Sequence, residues 1–312
     1  MRVAHFSDIH LLALEGVSVK RMLNKRFTGW VNLKVRRHDV HKPDVARAVA
    51  REVRRREVDH VVITGDLTNL ALEREFEKVR TFLEQDLGLP PDRVSLVPGN
   101  HDVYTRGAHR NRRFQRYFGP YITSDLPEAT MAPGSDLRFP YVRLRGPLAI
   151  LGLSSAVPRA PLIAAGFIGE AQHAALHALL SHRDVERRTP VIIQHHPWRN
   201  PRSPVKRYLR GLDDAGRQGD LLDDIAHGVL LHGHLHRRVH ERLETRRGAV
   251  HMFGSTSASL LHEDPVRMGG FNEYAFDAVS GRLLRAETYR LDRASGDFVA
   301  VALSGFAPPE AA

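Results

Sequence analysis

The 312-residue chain contains no cysteine. That removes a disulfide scaffold, a thiolate nucleophile, an iron–sulfur cluster and any sulfur-ligated zinc site, so a metal held here must sit on His, Asp, Glu or Asn. Long apolar runs are missing as well. No stretch approaches the roughly 20 apolar residues a membrane-spanning helix needs, and Met1-Arg2-Val3-Ala4-His5-Phe6-Ser7-Asp8 holds no apolar core of a secretory leader. A cytoplasmic location is expected, with peripheral attachment to the inner face of the membrane as the form of membrane contact left open. Acids are the third scarcity. Lys and Arg number 46 against 36 Asp and Glu, a formal charge of +10, and forty of the 46 cations are Arg. The excess points to anionic partners, although net charge governs association and solubility rather than fold.

What is present is an ordinary globular composition, 42% apolar and 26% charged, long enough for a large core. Five short apolar runs end abruptly in polar turns. Residues 2–6 run into Ser7-Asp8-Ile9-His10, 59–64 into Gly65-Asp66, and 93–97 into Pro98-Gly99-Asn100-His101-Asp102. Residues 190–194 run into His195-His196-Pro197, and 228–231 into His232-Gly233-His234-Leu235-His236. Such runs read as buried strands. The stretches 43–57, 70–86, 107–118 and 169–183 read as helices between them, and the alternation predicts an α/β layered fold. From about residue 237 strands dominate (237–243, 249–253, 271–276, 283–290 and 298–303), with Ser280-Gly281 and Ser295-Gly296 as turn pairs. That pattern predicts a mostly antiparallel sheet for the last third. One domain over 1–303, with a helical insertion at 18–38 and a loose tail at 304–312, is the expected organisation.

The five turns together present Asp8, His10, Asp66, Asn100, His101, His195, His196, His234 and His236. A single His at a strand end is most often a satisfied polar residue; the combination is what carries weight. Asp-x-His and His-x-His chelate from extended or tightly turned backbone, and mixed N/O donors without sulfur suit Mn, Fe, Zn or Co. The set suffices for two divalent ions with one shared carboxylate. Two such ions polarise a phosphoryl oxygen and lower the pKa of a bridging water, so no Ser or Cys nucleophile need be sought.

At this point the chain resembles the calcineurin-like metallophosphoesterases. Their ordered blocks D-x-H, G-D, G-N-H-[DE], a His before a small or Pro-containing turn, and G-H-x-H correspond to five segments over residues 1 to about 255. These are Asp8-Ile9-His10, Gly65-Asp66, Gly99-Asn100-His101-Asp102, His195-His196-Pro197 and Gly233-His234-Leu235-His236. The resemblance implies a four-layer αββα sandwich of two mixed sheets flanked by helices, with the metals at the C-terminal ends of the strands. It further implies that Asp8, His10 and His236 hold the first metal, that Asp66 bridges, and that Asn100, His195 and His234 complete the second. His101 is then a non-ligand that donates a proton to the leaving oxygen or stabilises the phosphorane, and Asp102 orients His101 or caps the following helix. His195 aligns with the ligand position, which leaves His196 packed behind it or facing substrate. His5 reads as a strand residue, and His232 as core or as support behind the ligands.

Two acid-free basic stretches follow the motifs. Residues 103–120 carry Arg106, Arg110, Arg112, Arg113 and Arg116, and residues 198–210 carry Arg199, Arg202, Lys206, Arg207 and Arg210. A solvated Arg-rich face competes evenly with phosphate recognition here. Arg106 and Arg199, with Tyr104 and His196, are the candidate substrate contacts, because Arg grips phosphate bidentately. The segment 18–38 holds seven cations and no acid, with Met22, Leu23, Phe27, Trp30 and Val31 at helical spacing. It reads as a helical cap packed on the domain or as a lipid-contacting helix, with Leu23, Arg26, Phe27 and Trp30 as the contacts.

The expected activity is hydrolysis of a phosphodiester or pyrophosphate bond by a metal-bridging hydroxide. The blocks look most similar to the bacterial class III phosphodiesterase branch, which favours a cyclic nucleotide or related small diester. The alternative is a membrane-surface pyrophosphatase similar to the UDP-diacylglucosamine pyrophosphatases of lipid A synthesis. The partner is accordingly a phosphate-bearing small molecule or lipid headgroup. A nuclease or nucleic-acid-binding protein fits the charge but has no recognisable binding motif.

Overall fold

The computed structural model describes residues 1–13, 41–130 and 138–303. The insertion at 18–38, with Leu23, Arg26, Phe27 and Trp30, and the tail at 304–312 lie outside the described residues. The five apolar runs that end in motif turns are strands. In chain order the strands are β1 (Arg2–Phe6), β2 (His60–Ile63), β3 (Val94–Leu96), β4 (Tyr141–Arg145), β5 (Leu148–Gly152) and β6 (Thr189–Ile193). There follow β7 (His227–His232), β8 (Val239–Thr245), β9 (Gly248–Gly254), β10 (Gly270–Phe276), β11 (Leu283–Leu291) and β12 (Phe298–Val301).

They form two six-stranded mixed sheets, β12-β11-β10-β1-β2-β3 and β4-β5-β6-β7-β9-β8. The period of two along a strand decides which side chain meets which layer. In the second sheet Leu148, Ile150, Val191, Ile193, Val229, Leu231 and Phe253 join the core shared with the first sheet. Their neighbours Ala149, Leu151, Ile192, Leu230, Val250 and Met252 pack instead with Leu176, Leu179, Leu221 and Leu222 of the helices Glu170–Leu180 and Ala215–Leu222. On the first sheet's side, the helix Pro43–Arg55 starts with proline in its first turn and buries Val45, Ala46, Val49, Ala50 and Val53, a stripe at helical spacing. The result is the expected αββα sandwich.

Three expectations change. The last third does not make one antiparallel sheet. Strand β9, buried toward its C-terminal half, lies parallel to β7 with β8 as the antiparallel edge, while the well-buried β10 lies beside β1 and carries β11 and β12 outward. Both are internal strands, β9 of the second sheet and β10 of the first. The predicted helix over 107–118 is two helices, Arg106–Arg110 and Arg113–Phe118, because Arg112 between them takes a left-handed φ of 48°. The hairpin β4–β5 was not anticipated. Its β4 strand carries the buried Arg143, whose guanidinium donates to the carbonyls of Pro91, Val94, Pro120 and Thr123.

Parallel pairing brings strand ends together. Strands β1, β2 and β3 run parallel, as do β5, β6 and β7, so each sheet presents several C-terminal ends along one edge. The two edges are stitched across the sandwich by a parallel bridge between Ser7 and Ser257 and by Ala258 N donating to Ser7 O at 2.8 Å.

Candidate metal centre

All seven expected ligands leave the C-terminal ends of parallel strands, and five of them bend sharply there. Asp8, His10, Asp66, His234 and His236 have φ of 55°, 49°, 51°, 68° and 51°. Each left-handed non-glycine residue costs on the order of 1 kcal/mol or more, and such residues persist only where the surroundings hold them. Here the fastenings are visible. Asp8 N donates to Gly65 O and His10 N to Asp66 O, at 2.9 and 3.0 Å. Ser257 Oγ donates to Asp8 O, and Asn69 Nδ2 to His10 O, each at 2.6 Å. Two motif glycines have a steric reason. A Cβ on Gly99 would lie 2.1 Å from Asp66 Oδ1, and one on Gly233 would lie 1.9 Å from Ser7 Oγ. The turns can approach this closely only without a side chain.

The donor atoms converge. His236 Nε2 lies 3.1 Å from Asp8 Oδ1 and 3.3 Å from His10 Nε2, and His10 Nε2 lies 3.8 and 3.9 Å from Asp8 Oδ1 and Asp66 Oδ2. His195 Nε2 lies 3.4 Å from Asp66 Oδ2, 3.2 Å from Asn100 Oδ1 and 3.3 Å from His234 Nδ1. Tautomers explain what this means. His195 Nδ1 donates to Thr64 O at 2.7 Å, and His234 Nε2 donates to Arg210 O at 3.2 Å. In the neutral rings the lone pairs therefore sit on His195 Nε2 and His234 Nδ1, aimed at each other and at two oxygen acceptors. Four acceptors facing one point need a cation between them. Burial lowers the pKa of His195, but the charge and hydrogen bond of Asp66, with Asp8 behind, outweigh it and push the group up to about 9. The place that draws a proton onto His195 is where a divalent ion fits, and the all-N/O donor set suits one.

The other expected site residues divide. His101 N donates to Asp66 Oδ1 at 2.8 Å, its Nδ1 donates to Asn69 O at 2.7 Å, and Tyr104 stacks on its ring at 5.5 Å. In the neutral ring with its proton on Nδ1, the lone pair falls on Nε2. Asp102 is put to a different use from either one expected. Its carboxylate accepts from the backbone N–H groups of Leu67, Thr68 and Gly99, tying the β2 turn to the β3 turn, and the next helix is capped by Thr105 instead. His196 does not face substrate. It is fully buried, its Nε2 donates to Ala164 O at 2.9 Å, and its Nδ1 accepts from Ser155 Oγ at 2.8 Å. Burial, then the neighbouring His195, hold its pKa at about 3, so it stays neutral.

Arg199 lies over Trp198 and is paired with Glu241 at 2.6 Å, and Arg106 is exposed at the start of its helix. His5 is a buried strand residue between Tyr274 and Thr64, and His232 is buried beside Gly233 O. One histidine was not anticipated. His41, immediately before the helix Pro43–Arg55, brings its ring to 4.7 Å from that of His10 and 5.4 Å from that of His236. It belongs to no motif block, and only the folding of the chain places it here.

Two mixed sheets with a carboxylate- and imidazole-lined edge define a class of metal-dependent hydrolases, and the comparisons narrow it. The chain belongs to the calcineurin-like phosphoesterase family, whose model matches residues 1–238. It is accordingly a metal-dependent phosphoric ester hydrolase of a family built on dinuclear centres. A dimetal phosphatase from Danio rerio is similar in fold, with a TM-score of 0.56 at 15% identity over 97% of this chain and 99% of that one. A purple acid phosphatase from yellow lupin (Lupinus luteus) seeds has a TM-score of 0.55 at 12% identity over 97% of this chain and 54% of that one. No curated protein matches the chain in sequence.

Proposed function

We propose that this hydrolase cleaves a phosphodiester or pyrophosphate bond in a small phosphate-bearing substrate, with a cyclic nucleotide or related diester favoured. In this reading Asp8, His10 and His236 hold one divalent ion, Asn100, His195 and His234 hold the other, and Asp66 lies between them. Mn, Fe, Zn and Co all suit the donors. The ions supply Lewis-acid polarisation of the phosphoryl oxygen and a water of lowered pKa.

The chain's own residues do the rest. Thr64 O and Arg210 O fix the tautomers of His195 and His234, so each presents a lone pair to the centre. His101, held by Asn69 O through Nδ1 and by Tyr104 across its face, keeps Nε2 for the leaving oxygen. That His101 geometry is the observation behind hydrolysis of a phosphoester whose poor, alkoxide-type leaving group needs a proton, and the choice of a small diester follows the motif blocks.

Other readings have less behind them. Some of the basic stretches are spent internally: Arg113 donates to Ala71 O and pairs with Glu73, and Arg199 pairs with Glu241. This reduces the continuous cationic face that a nucleic acid would need. No helix among the described residues is long and apolar enough to cross a membrane, and a lipid-linked substrate rests on the 18–38 segment alone. The test is a substrate panel with metal-reconstituted protein: cyclic nucleotides, bis-p-nitrophenyl phosphate, a UDP-linked lipid and single-stranded DNA. Small diesters are expected to turn over fastest. Preference for the UDP-lipid or for DNA overturns the small-diester reading in favour of that substrate.

A further inference from the structure

We infer that His41 is an additional ligand at the first half of the centre, beside Asp8, His10 and His236. The inference rests on the dinuclear reading above. Its starting point is geometric: His10, His41 and His236 each place one potential ligand atom within 4.8 Å of the others. Nitrogens bound to one ion at about 2.1 Å lie at most about 4.2 Å apart, so little adjustment is needed to gather the three. The ring of His41 meets those of His10 and His236 edge-on, at 66° and 84°.

The support behind His41 is the kind that orients a ligand. Its Nδ1 lies 2.8 Å from Ser259 Oγ and 3.3 Å from Ser257 Oγ. Ser257 Oγ spends its proton on Asp8 O at 2.6 Å, and Ser259 Oγ also faces Asp8 O at 3.4 Å. In the tautomer whose Nδ1 donates to Ser259 Oγ, the lone pair of the neutral His41 ring falls on Nε2. The backbone is fixed too. His41 forms an antiparallel bridge with Leu260, and Lys42 N donates to Ser259 O at 2.8 Å. One strap, residues 255–260, thus holds the carbonyl of the expected ligand Asp8 and the imidazole of His41 together.

Packing alone does not call for this arrangement. Three imidazoles crowded within reach of one another near buried carboxylates gain little from mutual contact, whereas a shared cation satisfies all three. The consequence is an asymmetric centre. The first half has three imidazoles and a carboxylate, against two imidazoles and an amide oxygen in the second, with Asp66 common to both. The first half is therefore the tighter and more nitrogen-rich site.

The experiment is Co²⁺ titration of demetallated full-length protein, read by the visible ligand-field absorption and by bound metal per chain. Wild type is expected to take up two ions in two steps. In His41→Ala one of the two should weaken roughly tenfold or more, with a changed absorption for that ion and the other step unmoved. His41→Phe, which keeps a ring against His10 and His236 but has no donor atom, should behave the same way and covers the case in which the alanine variant folds poorly. If both variants bind two Co²⁺ ions with wild-type affinities and spectra, the inference is overturned, and so it is if only KM for the ester changes. A wild type that binds no Co²⁺ instead refutes the dinuclear reading on which the inference stands.

Discussion

The two sheets bring different chemistry to the same seam. The first supplies both aspartates, the asparagine and the imidazoles of His10 and His101, whereas the second supplies imidazoles only, His195, His234 and His236. Their fastenings differ in the same sense. Turns on the first sheet's side are tied by buried carboxylates: Asp102 gathers Leu67, Thr68 and Gly99, and Glu75 gathers Leu70 and Leu72. On the second sheet's side the fastener is the neutral His196, locked between Ser155 and Ala164. One edge carries the negative charge, and the other brings imidazoles up to it, of which His195 is drawn toward its protonated form by Asp66.

The largest effect should come from removing the charge that both halves share. Asp66 accepts from His101 N through Oδ1 and faces His10 and His195 through Oδ2. Asp66→Asn should lower metal content and bring turnover near to zero, a loss well beyond the roughly 10- to 100-fold typical of an outer hydrogen-bonding partner. Metal per chain and rate at saturating Mn²⁺ check it. Full metal content in the variant would mean that each ligand set holds its ion without the shared carboxylate.

A smaller loss is expected at His101, which belongs to the first sheet but is assigned no metal. His101→Ala should keep wild-type metal content and slow hydrolysis of esters with alkoxide leaving groups by about 10²-fold or more. The deficit should shrink for p-nitrophenolate, which departs without a proton. Comparing the two leaving groups under identical metal loading separates proton donation from positioning. An equal loss for both sinks the proton-donor role.

The same division marks what the sequence made legible. The convergence of the motif side chains on one edge was readable, because Asp-x-His, Gly-Asn-His-Asp and Gly-His-x-His write residue type, backbone turn and close approach into neighbouring positions. The glycines at 99 and 233 are part of that local code. Roles set by contacts between distant segments were not readable. Asp102 could not be seen to tie two loops, nor His41 to meet His10, and nothing local chose between the two readings of His196, packed behind His195 or facing substrate. The sheet assignment of β8 to β12 failed for the same reason: hairpin signals say which strands are antiparallel neighbours, while membership of a sheet depends on which unpaired edge the next strand reaches.

The finest test concerns the fasteners themselves. Glu75 sits at the third position of the helix Glu73–Thr81, where Oε2 accepts from the N–H groups of Leu70 and Leu72 at 2.9 and 3.0 Å, while Oε1 is buried without a hydrogen-bond partner. Burial outweighs those hydrogen bonds and, with Asp102 nearby, raises its pKa from an ordinary 4.5 to about 7. Between those values the folded chain holds a proton that the unfolded chain has released. Stability on this account is greatest below pH 4.5, falls as pH rises to about 7, and is level above that. His196, held at about 3 in the folded chain, stays neutral there while the unfolded chain still binds its proton up to about 6.5, so its contribution to stability rises with pH up to that value and is level above it. Rising pH should thus weaken the carboxylate-tied side while favouring the imidazole-tied one. Glu75→Gln keeps an acceptor for the two N–H groups and removes the charge. It should match wild type near pH 4 and exceed it at pH 8 by at most about 3 kcal/mol. Denaturant unfolding at both pH values measures the difference, and hydrogen exchange at Leu70 and Leu72 locates it. A variant no more stable than wild type at pH 8 would show that Glu75 is accommodated as an anion.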